Sequence, residues 1–204
     1  FEIPHCKLCN AEMTFFFQIT FPEKHVWEGK MLAFFHCTSC YNLRKTYFPQ
    51  LRLENHPDLP DNILDTYQTN FKIFVFDASD TLIRRQDIKQ LLQFERLTFE
   101  KVHPQVAVTK VGGVPNWSQA SRWEPERWFY KKVRYMGGGV VFLMQTSSDW
   151  HFVRLPDAPP QFDYYQKGDR YYDEYRLFYG HNLYFLGTTS PQLDPPRVLL
   201  YTMA

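Results

Sequence analysis

Two cysteine pairs, Cys6-Lys7-Leu8-Cys9 and Cys37-Thr38-Ser39-Cys40, bracket an aromatic segment and use all four cysteines of the 204-residue chain. Each Cys-x-x-Cys turn presents two sulfurs on one small knuckle, and two knuckles together supply the four thiolates of a tetrahedral structural zinc site. Cys6, Cys9, Cys37 and Cys40 are therefore the candidate metal ligands. A closed four-sulfur site keeps no coordination position open, so the zinc would hold structure and do no chemistry. Two disulfides, or a redox-active Cys-x-x-Cys, are the other uses of this spacing. His5 and His36 each precede a knuckle and could replace a cysteine, although four thiolates make a histidine ligand unnecessary. Zinc-type cysteine usage argues for a reducing compartment, with the cytoplasm as the expected location.

Composition points to a mostly β protein with minor helices. Aromatic residues make up 18% of the chain, with 19 Phe, 13 Tyr and 5 Trp, and aromatic side chains suit half-buried pleated surfaces. The net charge of +1, with both signs interleaved, leaves no electrostatic footprint for duplex nucleic acid or an anionic membrane. Apolar runs such as Val140–Met144 are far too short to span a bilayer as a helix. Short helices are expected at Asp61–Tyr67 and at Asp87–Phe94, where Ile88, Leu91 and Leu92 fall on one helical face.

The chain also repeats itself. With Gln18 set against Gln145, Met13–Ile19 faces Val140–Thr146, an apolar strand ending in Gln both times. Gly29–Phe35 then faces Gly180–Leu186 with Gly, Leu and Phe in register. The strand expected at Phe71–Phe76 has its counterpart in Arg197–Tyr201. The connection between the paired strands grows from Thr20–Glu28 to Ser147–Tyr179, and the second copy has Gly187–Pro191 where the first has a cysteine knuckle. Two β-rich copies over residues 1–100 and 101–204 are expected, packed as one body.

These strings, with Lys110-Val111-Gly112-Gly113-Val114-Pro115-Asn116-Trp117 between them, resemble the TYPP superfamily, the bacterial YwqG-like proteins and the eukaryotic programmed cell death protein 2 group. Members of that superfamily are built from a duplicated β-rich unit, each copy opening on a Lys-x-Gly-Gly-x-Pro-x-Trp stretch. The resemblance spans about Pro4–Cys40 and Lys110–Tyr201. The first copy lacks its own Gly-Gly-Pro-Trp stretch, which would precede Phe1. What the resemblance implies is protein binding without catalysis: a dedicated chaperone of a ribosomal protein, or an immunity protein against a toxin.

Enzymatic motifs are tempting but incomplete. Phe74–Leu82 resembles the nucleophile strand of haloacid-dehalogenase-type phosphatases, but that chemistry needs two carboxylates two residues apart, and Ser79 stands where the second belongs after Asp77. Lys167–Asp173 lacks the apolar strand that should precede the matching metal motif. Gly137-Gly138-Gly139 opens a strand, so no phosphate cradle is expected.

The expected binding surface is aromatic. Trp117, Trp123 and Trp128 and the Tyr-rich insertion, with Tyr164, Tyr165, Tyr171, Tyr172 and Tyr175 beside Asp169 and Asp173, form an acidic-aromatic mixture suited to a basic protein such as a toxin or a ribosomal protein. Trp123–Arg134 could instead stack single-stranded RNA, or cover the core. Trp117 could equally plug the core.

Overall fold

A computed structural model describes residues 2–39, 68–78, 88–101, 109–117, 140–147, 150–161, 174–177, 182–189 and 198–203. The aromatic and β-branched runs form β1 (Thr14–Thr20), β2 (Lys30–His36), β3 (Phe71–Asp77), β4 (Lys110–Val111) and β5 (Val140–Thr146). β6 (Trp150–Val153), β7 (Glu174–Leu177), β8 (Asn182–Thr188) and β9 (Val198–Met203) complete the strands. They form three antiparallel sheets, β1-β2-β3, β4-β5-β8-β9 and β6-β7.

Side-chain alternation gives the first sheet two buried faces. Phe17, Ile19, Leu32, Phe34, Phe71 and Ile73 enter the main core. Ala33 and Phe35 point the other way and join Cys6, Met13 and Cys37, with Phe15, Phe74 and Phe76 partly covered beside them. Such two-sided burial explains why Met31–Phe35 of β2 is an unbroken apolar run with no polar alternation.

The main core joins all three sheets. Phe17 and Phe34 meet Phe185 edge-on at 6.2 and 6.1 Å, while Trp150 and Phe152 of the small sheet pack edge-on against Phe17 and Phe16 at 5.1 Å. A bulge between Phe15 and Phe17 sends both Phe16 and Phe17 into this core. β5 carries its bulge between Phe142 and Met144, sending Leu143 and Met144 inward.

Among the described residues there is no helix. The helix expected over Asp87–Phe94 does not form across its described part, residues 88–94. Leu92 instead bridges Arg154, with Gln93 N–H donating to Val153 O and Leu155 N–H to Leu91 O. Apolar spacing over two turns is a weak helical signal, and pairing with the β6 region outweighs it. The helix expected at Asp61–Tyr67 lies outside the described residues, and among the described residues no helix is long and apolar enough to cross a membrane.

Candidate metal centre

The first knuckle is shaped by backbone hydrogen bonds before any metal is considered. Cys6 N–H donates to Ala11 O and Asn10 N–H to Cys6 O, both at 2.8 Å, closing the turn. Asn10 sits at φ 61°, a left-handed position that Asn tolerates better than most residues. Leu8 N–H points at Cys6 Sγ, 3.4 Å away.

Two further bonds anchor the knuckle to the entry of β3. Lys7 N–H donates to Thr69 O and Cys37 N–H to Asn70 O, each at 2.8 Å. The hydroxyls of Thr14 and Thr38 lie 2.9 Å apart in the interior. Residues distant in sequence thus bring Cys6, Cys9 and Cys37 together.

The sulfurs of these three cysteines lie within 4.8 Å of one another. Cys9 Sγ is 3.6 Å from Cys37 Sγ, and all three are thiols. Ligands about 2.3 Å from a tetrahedral centre are about 3.8 Å apart, so the spacing suits a metal-thiolate group. Cys40, the fourth expected ligand, lies outside the described residues. His5 and His36 do not belong to the group. His5 Nδ1 instead lies 2.9 Å from Asn10 O, and His36 is buried against Phe16, where desolvation pushes its pKa down to about 4.

The expected binding residues divide differently. Trp117 is half-buried, its ring 4.6 Å from that of Tyr184. Tyr175 is a correction: it is fully buried in the main core, its hydroxyl donating to Pro159 O, so it offers no face to a partner. Desolvation also raises its pKa. Trp123, Trp128, Tyr164, Tyr165, Tyr171, Tyr172, Asp169 and Asp173 lie outside the described residues. Asp77, where the phosphatase-like string ended, is exposed at the end of β3 and pairs with Lys30 at 2.5 Å.

One group of structural residues gives little sequence signal. Trp27, in the β1–β2 connection, is fully buried and donates its indole N–H to Thr188 O at 2.9 Å. A Cβ at Gly187 would enter the Trp27 ring and stand 2.8 Å from Leu143 Cδ1. His25 Nε2 lies 3.2 Å from Leu143 O, the same bulge carbonyl that accepts Gly112 N–H at 2.8 Å. This seam ties the first sheet to the second.

By its described geometry the molecule is a mostly β protein carrying a three-cysteine cluster able to hold a metal ion. Compared with protein-family models, with curated proteins and with solved structures, the chain finds no match.

Proposed function

We propose that this chain is a non-enzymatic, zinc-stabilised binding module for a basic protein, built from two copies of one β-rich unit and acting as an immunity-type neutraliser of a toxin. The sulfur cluster is the observation that carries the zinc part. Cys40 completes the ligand set, since three residues keep its Cα within about 11 Å of that of Cys37. All-thiolate sites of this kind close around zinc and serve structure.

The duplication is supported by register. Phe15↔Phe35, Phe17↔Phe34 and Gln18↔Ala33 in one sheet correspond, residue for residue in the Gln18/Gln145 alignment, to Phe142↔Leu186, Met144↔Phe185 and Gln145↔Tyr184 in the other. Both pairs skip at the same aligned position, and β3 flanks β2 as β9 flanks β8. The equated residues Phe34 and Phe185 meet each other, as residues near a pseudo-two-fold axis do. Such a frame also agrees with the TYPP resemblance.

The binding reading is supported by how the Tyr-rich insertion is displayed. Its ends leave β6 and enter β7, which pair from Val153↔Glu174 to Trp150↔Leu177 and are rooted in the core by Trp150, Phe152, Tyr175 and Leu177. Variable loops on rigid strands are where specificity commonly resides. Replacing Tyr171 and Tyr172 together by Ala should weaken a partner complex by about 2 kcal/mol or more while leaving zinc content unchanged. Capture from the native host with both proteins as bait is the test. A toxin lost from the variant's catch supports the reading, a ribosomal protein redirects it to a chaperone, and an unchanged catch removes the insertion from the site.

A further inference from the structure

The cysteines of the cluster differ sharply in exposure. Cys6 and Cys37 are 1% and 3% exposed, whereas Cys9 is exposed. They also differ in how firmly they are held. Cys37 follows β2 directly, its N–H bonded to Asn70 O and its side chain packed with Ala33 and Phe35. Cys6 Sγ accepts the Leu8 N–H within its own turn. Cys9 stands on the outer limb of the knuckle, next to the positive-φ residue Asn10.

We infer that Cys9 and Cys37 form a redox pair through which a hydroperoxide expels the metal, with Cys9 the sulfur attacked and Cys37 the one that resolves it. This rests on the zinc reading above. A thiolate is oxidised only where the oxidant reaches it, and coordination to zinc keeps a cysteine in the thiolate form without burying it.

In the first step the Cys9 thiolate attacks one peroxide oxygen. An S–O bond forms to the terminal oxygen, the O–O bond breaks, and hydroxide leaves from hydrogen peroxide or alkoxide from an organic hydroperoxide. In the second, the Cys37 thiolate attacks Cys9 Sγ across 3.6 Å, forming S–S and expelling hydroxide. The two thiolates are oxidised by two electrons and the peroxide is reduced by two. A disulfide needs the sulfurs at about 2.05 Å, a closure of about 1.6 Å that rotation of the exposed Cys9 side chain supplies. Of the three clustered sulfurs only Cys6 then remains as a thiolate, and a zinc ion that has lost two of its ligands is released.

The test uses the full-length, zinc-loaded chain. Zinc content is measured first. Hydrogen peroxide is then added with a chromogenic chelator present, and disulfides are mapped by mass spectrometry of the alkylated digest. Stoichiometric zinc release together with a Cys9–Cys37 crosslink is expected. In the unoxidised protein, iodoacetamide should label Cys9 about tenfold faster than Cys6 or Cys37. A protein without zinc at the outset overturns the zinc reading and the release step with it. Zinc that is present but retained after peroxide, a crosslink joining any other pair, or faster labelling of Cys6 or Cys37 overturns the redox pairing alone.

Discussion

The two three-stranded frameworks share a register and a bulge, yet they close their second faces by different chemistry. In β1-β2-β3 the central position is Ala33, and the space above it is filled by Cys6, Met13 and Cys37. In β5-β8-β9 the aligned position is Tyr184, whose hydroxyl donates to Asn116 O at 2.8 Å and whose ring lies against Trp117. Asn116 N–H donates to Gln145 Oε1 at 2.8 Å, and Lys110 Nζ to Asn116 Oδ1 at 2.9 Å. A small residue leaves room for a knuckle that a metal can clamp. A large amphipathic residue supplies its own lid from side-chain hydrogen bonds and stacking. Two strand pairs with the same pattern of register thus carry different covers, one of sulfur and methionine side chains and one of hydrogen-bonded and stacked aromatics.

On the proposed zinc reading, breaking the sulfur cluster should have the largest effect. Cys37→Ser, or removal of zinc with a chelator, should strip amide-exchange protection from β1, β2 and the knuckle and cost several kcal/mol, because metal binding is coupled to local folding. β5 and β8 should keep most of their protection. Equal loss in both sheets would mean that the cluster stabilises the whole core and not one face.

Next in size is the seam that joins the frameworks. Gly187→Ala places a methyl group within the Trp27 ring, and overpacking of this kind costs about 3 kcal/mol. Denaturant unfolding measures it. The double variant Gly187→Ala with Trp27→Leu should recover part of the loss, since the Trp27 ring, the nearer of the two clash partners, is then gone while Leu143 remains.

Removing one hydrogen bond from the second cover should cost less. Tyr184→Phe keeps the ring against Trp117 and deletes the bond to Asn116 O, a loss of about 1 kcal/mol. A larger loss, measured by the same unfolding titration, would show that the Asn116 network acts cooperatively.

The smallest effect is a pH dependence in the seam. His25 has its pKa lowered by burial, opposed by the hydrogen bond to the Leu143 carbonyl, and its Nδ1 accepts Trp27 N–H at 3.0 Å. A folded-state pKa below the ordinary histidine value means that the unfolded chain takes up the proton first, so stability falls as pH drops below about 6.5. His25→Gln should flatten that part of the stability-pH curve relative to the unsubstituted chain, measured between about pH 7.5 and 5.

The strands β1, β2, β3, β5, β8 and β9 were legible because long apolar runs rich in Phe, Leu and Val have few other soluble fates. The cysteine spacing likewise points to Cys6, Cys9 and Cys37, since a Cys-x-x-Cys turn converges two sulfurs by local geometry. The strands β6 and β7 were not legible. Each has four residues with charged or titratable members, His151, Glu174 and Arg176, and becomes a strand only because its partner is present. The apolar spacing of Ile88, Leu91 and Leu92 fits a helix and an edge segment equally, and the bond from Gln93 N–H to Val153 O chose the second.

Periodicity and spacing are local, so the sequence by itself determined the β character, the long apolar strands and the sulfur-bearing turn. Burial is a property of the assembled core. Only the tertiary structure decided that Tyr175 is an interior residue, that Trp27 plugs against Gly187 from a segment that reads as a plain loop, and that Cys9 alone among the three clustered cysteines faces solvent.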